Sequence, residues 1–114
     1  MHNFFIGEIV SIINIGEIYS AYETVYNYFY PKGYNTLEQF KSYSFKVDDI
    51  SSIKWIIKGV AKHPNGYYLY FLMSPEIHKV CLIGESGICL YPNYNQEKRK
   101  EIILTHLNDK IPQF

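Results

Sequence analysis

The sequence predicts an α+β domain: a small antiparallel β-sheet with two short helices in the N-terminal half and one helix near the C-terminus. Three observations carry this prediction. Residues 53–73 run apolar and strand-like on both sides of a Pro-Asn-Gly turn, as the two arms of a hairpin do. Ser20-Ala21-Tyr22-Glu23 and Thr36-Leu37-Glu38-Gln39 have the spacing of capping boxes, in which a hydroxyl and a longer polar side chain satisfy the free backbone donors of a first helical turn. Asn95 stands just before a charge-rich run through Glu101, where a helix cap would be. With 114 residues and 47% hydrophobic side chains, residues 1–114 make a single domain that buries roughly two thirds of its unfolded surface.

Taken in order, Ile6-Gly7-Glu8-Ile9-Val10-Ser11-Ile12-Ile13 is rich in β-branched residues and suits a first strand. Ile15-Gly16-Glu17-Ile18 repeats its opening at once, a duplication too short for a solenoid. From Ala21 a helix is indicated, because Tyr22, Val25, Tyr26 and Phe29 fall at i, i+3, i+4 and i+7 and form one apolar stripe. Tyr30-Pro31-Lys32-Gly33 ends it, since proline lacks the amide a helix needs. Leu37 and Phe40 stand one turn apart in a second, shorter helix reaching about Tyr43.

Ile53, Trp55 and Ile57 then occupy one face of a strand and Lys54 and Lys58 the other, while Gly59 marks a bulge or a close backbone approach. His63-Pro64-Asn65-Gly66 turns the chain, because proline presets a negative φ and Asn-Gly accepts a positive one. Residues 67–73 return as the second arm. Lys79 to Ile83 forms another strand, Gly84-Glu85-Ser86-Gly87 turns, and Ile88 to Tyr91 makes the last strand, so closely spaced that the set reads as a meander. The final helix ends near Asn108, with Ile111-Pro112 barring extension. Lys98-Arg99-Lys100 within it, offset by Glu97 and Glu101, reads as a solvated face.

Eleven Lys plus Arg balance eleven Asp plus Glu, so no global field draws the chain to phosphate or to an anionic membrane. No apolar run reaches membrane-spanning length, and a charge arrives at Glu8 too early for a secretory segment, which together place the protein in the cytoplasm with no membrane partner. Cys81 and Cys89 are too few for a disulfide framework and read as core thiols. His2, His63, His78 and His106 are scattered, without the spacing of metal ligands. The 83–88 run lacks the lysine and following helix of a phosphate loop. No catalytic residue, metal or cofactor is therefore assigned, and the chain reads as a non-enzyme. The nearest approach to acid–base chemistry would be a convergence of His63, His78 and Glu85.

Gly7-Glu8, Trp55, Pro64-Asn65-Gly66 and Leu82-Ile83-Gly84-Glu85-Ser86-Gly87 give the chain a layout that resembles small SH3-like barrels. It is similar in this to small proteins of unknown function from Gram-positive bacteria and their phages. The resemblance covers about two thirds of the chain and implies a partly open barrel; it transfers no catalytic residue.

Twelve Tyr and seven Phe leave more ring area than one face of a small sheet holds. If Tyr67, Leu69 and Phe71 point inward, Tyr68 and Tyr70 form an outward face that a helix of the chain, another chain (a second copy included) or a ligand must cover. Tyr68, Tyr70, Tyr91 and Tyr94, with Lys54, Lys58 and Lys62, make up the candidate partner-binding set. Two kinds of partner compete. Residues 1–57 hold six acids and four lysines and residues 58–114 seven basic groups and five acids, a bias that could steer docking onto another protein. Alternatively, the lysines and aromatics could hold a nucleotide or single-stranded nucleic acid by stacking and phosphate contacts. Neutral overall charge favours the protein. The expectation is a non-catalytic cytoplasmic inhibitor that occludes another protein, of the anti-defence or immunity kind that the resemblance to phage proteins implies.

Overall fold

The computed structural model describes residues 2–19, 35–36, 51–92 and 95–112. Its strands are β1 (Ile9–Ile12), β2 (Ile18–Tyr19), β3 (Asn35–Thr36), β4 (Trp55–Lys62), β5 (Tyr68–Ser74), β6 (Lys79–Gly84) and β7 (Ile88–Leu90), and its helix is α1 (Gln96–His106). Six strands form a curled antiparallel half-barrel in the order β2-β6-β5-β4-β1-β7, and β3 pairs parallel with β6. With α1 at the C-terminal end the described residues are α+β. The helices expected from Ala21 and from Thr36 lie outside the described residues, except for Thr36 itself, whose backbone belongs to β3.

The β4–β5 hairpin is the centre of the sheet, and its turn follows from the residues in it. His63 N–H donates to the Tyr67 carbonyl at 2.8 Å, and Gly66 N–H donates to the His63 carbonyl at 2.8 Å. Gly66 has φ +94°, a conformation that a side chain would strain. The bulge anticipated at Gly59 is present as a register shift between Ile57 and Gly59. It also overturns the expected lysine face. Trp55 and Ile57 before the shift and Val60 after it all lie in one core cluster, so Lys62 falls in phase with Val60 rather than with Lys54 and Lys58.

The meander stops at β6. Instead of lying beside β6, β7 pairs with β1 at the far side of the sheet, with Val10 opposite Leu90 and Ile12 opposite Ile88. The cause is a 3₁₀ turn over Glu85–Gly87, which carries the chain across the curl and whose Gly87 carbonyl accepts from Ile13 N–H at 2.8 Å. A matching 3₁₀ turn over Ile15–Glu17, capped by Asn14, carries β1 across to β2, which flanks β6.

Both faces of the central strands are buried. Trp55, Ile57, Tyr70, Leu72, Cys81 and Ile83 pack on one side, and Ala61, Leu69, Phe71, Val80 and Leu82 on the other. The expected outward face bearing Tyr70 therefore does not form: Tyr70 is 0% exposed. A nearly continuous apolar run such as 68–73 belongs to a strand covered on both faces. Cys81 is buried as expected, and burial pushes its thiol well above the ordinary range; Cys89 is half-buried.

α1 begins where anticipated, with Asn95 Oδ1 accepting from Glu97 N–H at 3.0 Å and Lys98 N–H at 3.3 Å. Its basic triplet is not a uniform solvated face. Lys98 and Lys100 are exposed, but Arg99 turns inward to the first strand. Among the described residues no helix is long and apolar enough to cross a membrane.

Candidate binding site at the mouth of the half-barrel

Residues 2–8 lead into β1 and pack on the Tyr70 side of the sheet, where Phe4 and Ile6 lie against its core cluster. Gly7 N–H donates to the Ile57 carbonyl at 2.8 Å and Ile57 N–H to the Glu8 carbonyl at 3.0 Å, which extends the β1–β4 pairing. Glu8 is wholly buried. Its Oε2 accepts from Arg99 Nε at 2.9 Å and its Oε1 from Phe5 N–H at 3.0 Å, so one carboxylate ties α1 to the N-terminal turn. Arg99 Nη2 also donates to the Asn3 carbonyl at 3.3 Å.

A second network links the same segment to the buried Tyr70. Its hydroxyl donates to Glu85 Oε1 at 2.6 Å and accepts from Asn3 N–H at 3.2 Å and Phe4 N–H at 3.3 Å. Asn3 N–H also donates to Glu85 Oε1, at 2.8 Å. Burial, then the adjacent Glu85 carboxylate, pushes the Tyr70 phenol far above its ordinary pKa, so it remains a hydrogen-bond donor. His2 packs at 4.6 Å from the Phe5 ring and 5.4 Å from the Tyr68 ring, and its burial pulls its pKa below 6.5 against the opposing pull of Glu85.

Beside this network opens a groove of about 380 Å³, lined among the described residues by Glu17, Tyr19, Tyr67, Tyr68, Gly84, Glu85 and Ser86. β2 sets Tyr19 along β6, and the β4–β5 turn brings Tyr67 to it, with ring centroids 6.1 Å apart. Tyr67 is 38% exposed and stacks on His63 at 4.3 Å. Lys62 Nζ lies 5.8 Å from the Tyr68 centroid. The glycines that end β6 and the 3₁₀ turn after it let Glu17 in. A Cβ on Gly84 would stand 3.0 Å from Glu17 Oε2, and one on Gly87 would stand 2.8 Å from Glu17 Cβ. Neither Glu17 nor Glu85 forms an ion pair with a described residue.

A second concavity, of about 290 Å³, lies between the N-terminal turn and the segment after α1, where His2, Phe5, Ile6, His106, Asp109 and Ile111 meet. His106 Nδ1 and Asp109 Oδ2 are 2.6 Å apart there. No serine, threonine or cysteine among the described residues lines it.

Of the residues singled out from the sequence, Tyr68 lines the groove and Lys62 lies against its ring. Tyr70 is enclosed and reaches the site only through Glu85. Lys54 sits over Tyr91 at 5.4 Å, and Tyr91 Oη donates to the Ser52 carbonyl at 3.0 Å. That pair stands at the opposite end of β4, roughly 25 Å from Lys62 at 3.3 Å per residue. Lys58 is exposed between them, and Tyr94 lies outside the described residues. His63 and His78 occupy the turns at opposite ends of β5, and Glu85 follows Gly84, which pairs with Leu69 at the His63 end. The three do not converge. Glu17, Tyr19 and Tyr67 were not anticipated as site residues. The available signal was the triplet Ile-Gly-Glu, which recurs at 6–8, 15–17 and 83–85: the second and third copies put Glu17 and Glu85 on the groove, and the first is joined to Glu85 through Arg99 and Asn3.

Fold and site together describe a small curled β half-barrel with an open, tyrosine-walled acidic groove. Comparison with protein-family models, curated proteins and solved structures returns no match to this chain.

Proposed function

We propose that this chain is a non-catalytic binding protein of the cytoplasm that inhibits a protein partner by occluding it. The observation that supports this best is the groove: three tyrosines and two carboxylates gathered at one open end of a sheet whose central strands carry a core cluster on each face. Tyrosines offer rigid apolar area with a polar tip at small entropic cost, the chemistry of a recognition surface. The separation of Lys54 from Lys62 and the acids at the groove favour a protein over a nucleotide or single-stranded nucleic acid, whose phosphates the carboxylates would repel.

We further read the half-barrel as SH3-like. Support comes from the β4-β5-β6 meander and from the 3₁₀ turn that returns the last strand to the first. The anti-defence or immunity role rests on the resemblance of that layout to phage proteins. The test is to recover the partner with tagged protein from source-cell extract, purify it, and titrate it with wild type and with a Tyr67→Ala/Tyr68→Ala double variant. The variant should bind at least about tenfold more weakly. Equal affinity of the two forms, or recovery of nucleic acid alone with steeply salt-dependent binding, would overturn the reading.

A further inference from the structure

We infer that the groove receives a basic side chain from the partner's surface, an arginine guanidinium in preference to a lysine ammonium; this rests on the binding-protein reading above. Two carboxylates, Glu17 and Glu85, line one groove, and neither lies within ion-pair distance of a described lysine, arginine or histidine, although Glu85 attracts the neighbouring His2 imidazole. Like charges brought together in the free chain repel, and a cation placed between them turns that repulsion into attraction.

One of the two carboxylates is held in place by hydrogen bonds. Glu85 Oε1 is fixed by Tyr70 Oη and Asn3 N–H, and no described group bonds its Oε2. Glu17 lies close to Gly84 and Gly87, where an added Cβ would crowd it. One fixed carboxylate with a second beside it in the same groove suits a forked, planar donor. The walls complete the match. Tyr19, Tyr67 and Tyr68 wall the groove with aromatic surface of the kind that attracts a cation; His63 stacks on one face of Tyr67 and Lys62 lies over the Tyr68 ring, and neither is among the described residues that line the groove. The 380 Å³ volume admits a whole guanidinium-bearing side chain.

The experiment follows backbone amide shifts of the isotope-labelled protein during titration with three capped tripeptides, Gly-Arg-Gly, Gly-Lys-Gly and the neutral isostere Gly-citrulline-Gly. The arginine peptide should shift Tyr67, Tyr68, Gly84 and Ser86 in a saturable way in the millimolar range, and the lysine peptide should do so more weakly. The citrulline peptide should leave them still. Glu17→Gln, in a protein that unfolds no earlier than wild type, should weaken the arginine response several-fold, and added salt should weaken it in wild type. Absence of a response to both basic peptides, or an equal response to citrulline, overturns the inference. Its failure is distinguishable from that of the broader proposal: a purified partner that loses affinity for the Tyr67→Ala/Tyr68→Ala form but not for Glu17→Gln leaves the occluding protein standing and removes only the basic side chain.

Discussion

Arg99 gives the sharpest test of how the mouth of the half-barrel is held. Replacing it with methionine keeps a long unbranched side chain on α1 but removes the guanidinium from a carboxylate that is completely buried. Deleting one partner of a buried pair costs about 3–5 kcal/mol, because the remaining charge is left without its counterion. Two features bring this case to the lower end. Arg99 is 25% exposed, so water screens part of the interaction, and Glu8 keeps the Phe5 amide bond at Oε1. The expected loss is about 3 kcal/mol, and at about 4 °C per kcal/mol for a chain of this length the midpoint falls by about 12 °C. Urea and thermal unfolding measure it. The double variant Glu8→Gln/Arg99→Met should be more stable than Arg99→Met alone, since the stranded charge has gone. A loss below about 1 kcal/mol, with no coupling between the two positions, would mean that Glu8 is solvated and that this account of the α1 anchor is wrong.

Tyr70→Phe removes the hydroxyl that donates to Glu85 and leaves Phe4 N–H without its acceptor, so it should cost about 2 kcal/mol in urea unfolding. Gly87→Ala drives a Cβ to 2.7 Å from Ile83 Cδ1 and should cost about 2–3 kcal/mol, whereas Gly66→Ala meets open space and should cost only the roughly 1 kcal/mol of a positive φ; the same unfolding series ranks them. For His2 the folded pKa lies below 6.5, so the unfolded chain takes up the proton first as pH falls. The stability this residue contributes is therefore complete above pH 6.5 and is lost as pH drops from there through the folded value. His2→Phe should flatten that part of the stability–pH curve relative to wild type, and an unchanged slope would show that His2 is solvated.

What could be read from the sequence was what neighbouring residues decide. Pro64-Asn65-Gly66 specifies a hairpin through the backbone angles those residues prefer, Gly59 marks the bulge, and Asn95 caps its helix because its side chain reaches amides two and three residues away. The return of β7 to β1 could not be read, since nothing local in Ile88–Leu90 says which strand will accept it. Tyr70 was misplaced for a different reason. Tyrosine suits a surface or a core, and only the partner found for its hydroxyl, Glu85, decides between them. Arg99 looked like one charge of a solvated triplet because the carboxylate that claims it lies 91 residues away in the chain. One local feature was visible and its consequence missed: the bulge at Gly59 shifts the alternation by one, which is why the lysines that seemed to share a face do not.

The three Ile-Gly-Glu glutamates end in three states of neutralisation, and the order has a consequence. Glu8 is buried against Arg99 and an amide; Glu85 is half-buried and takes a phenol and an amide on one oxygen; Glu17 is half-buried with no hydrogen bond or ion pair from a described residue. The electrostatic cost of these carboxylates is thus relieved at Glu8 and in part at Glu85, and rests on Glu17. Removing that one charge should make the free chain slightly more stable, by a few tenths of a kcal/mol given its exposure to water. The same change should weaken the response to an arginine peptide several-fold, so that stability and binding move in opposite directions. Parallel unfolding and titration of Glu17→Gln read both. If the variant instead unfolds earlier while its core amides keep wild-type shifts, the carboxylate is stabilising the free protein, and the repulsion on which the basic-side-chain argument depends is absent.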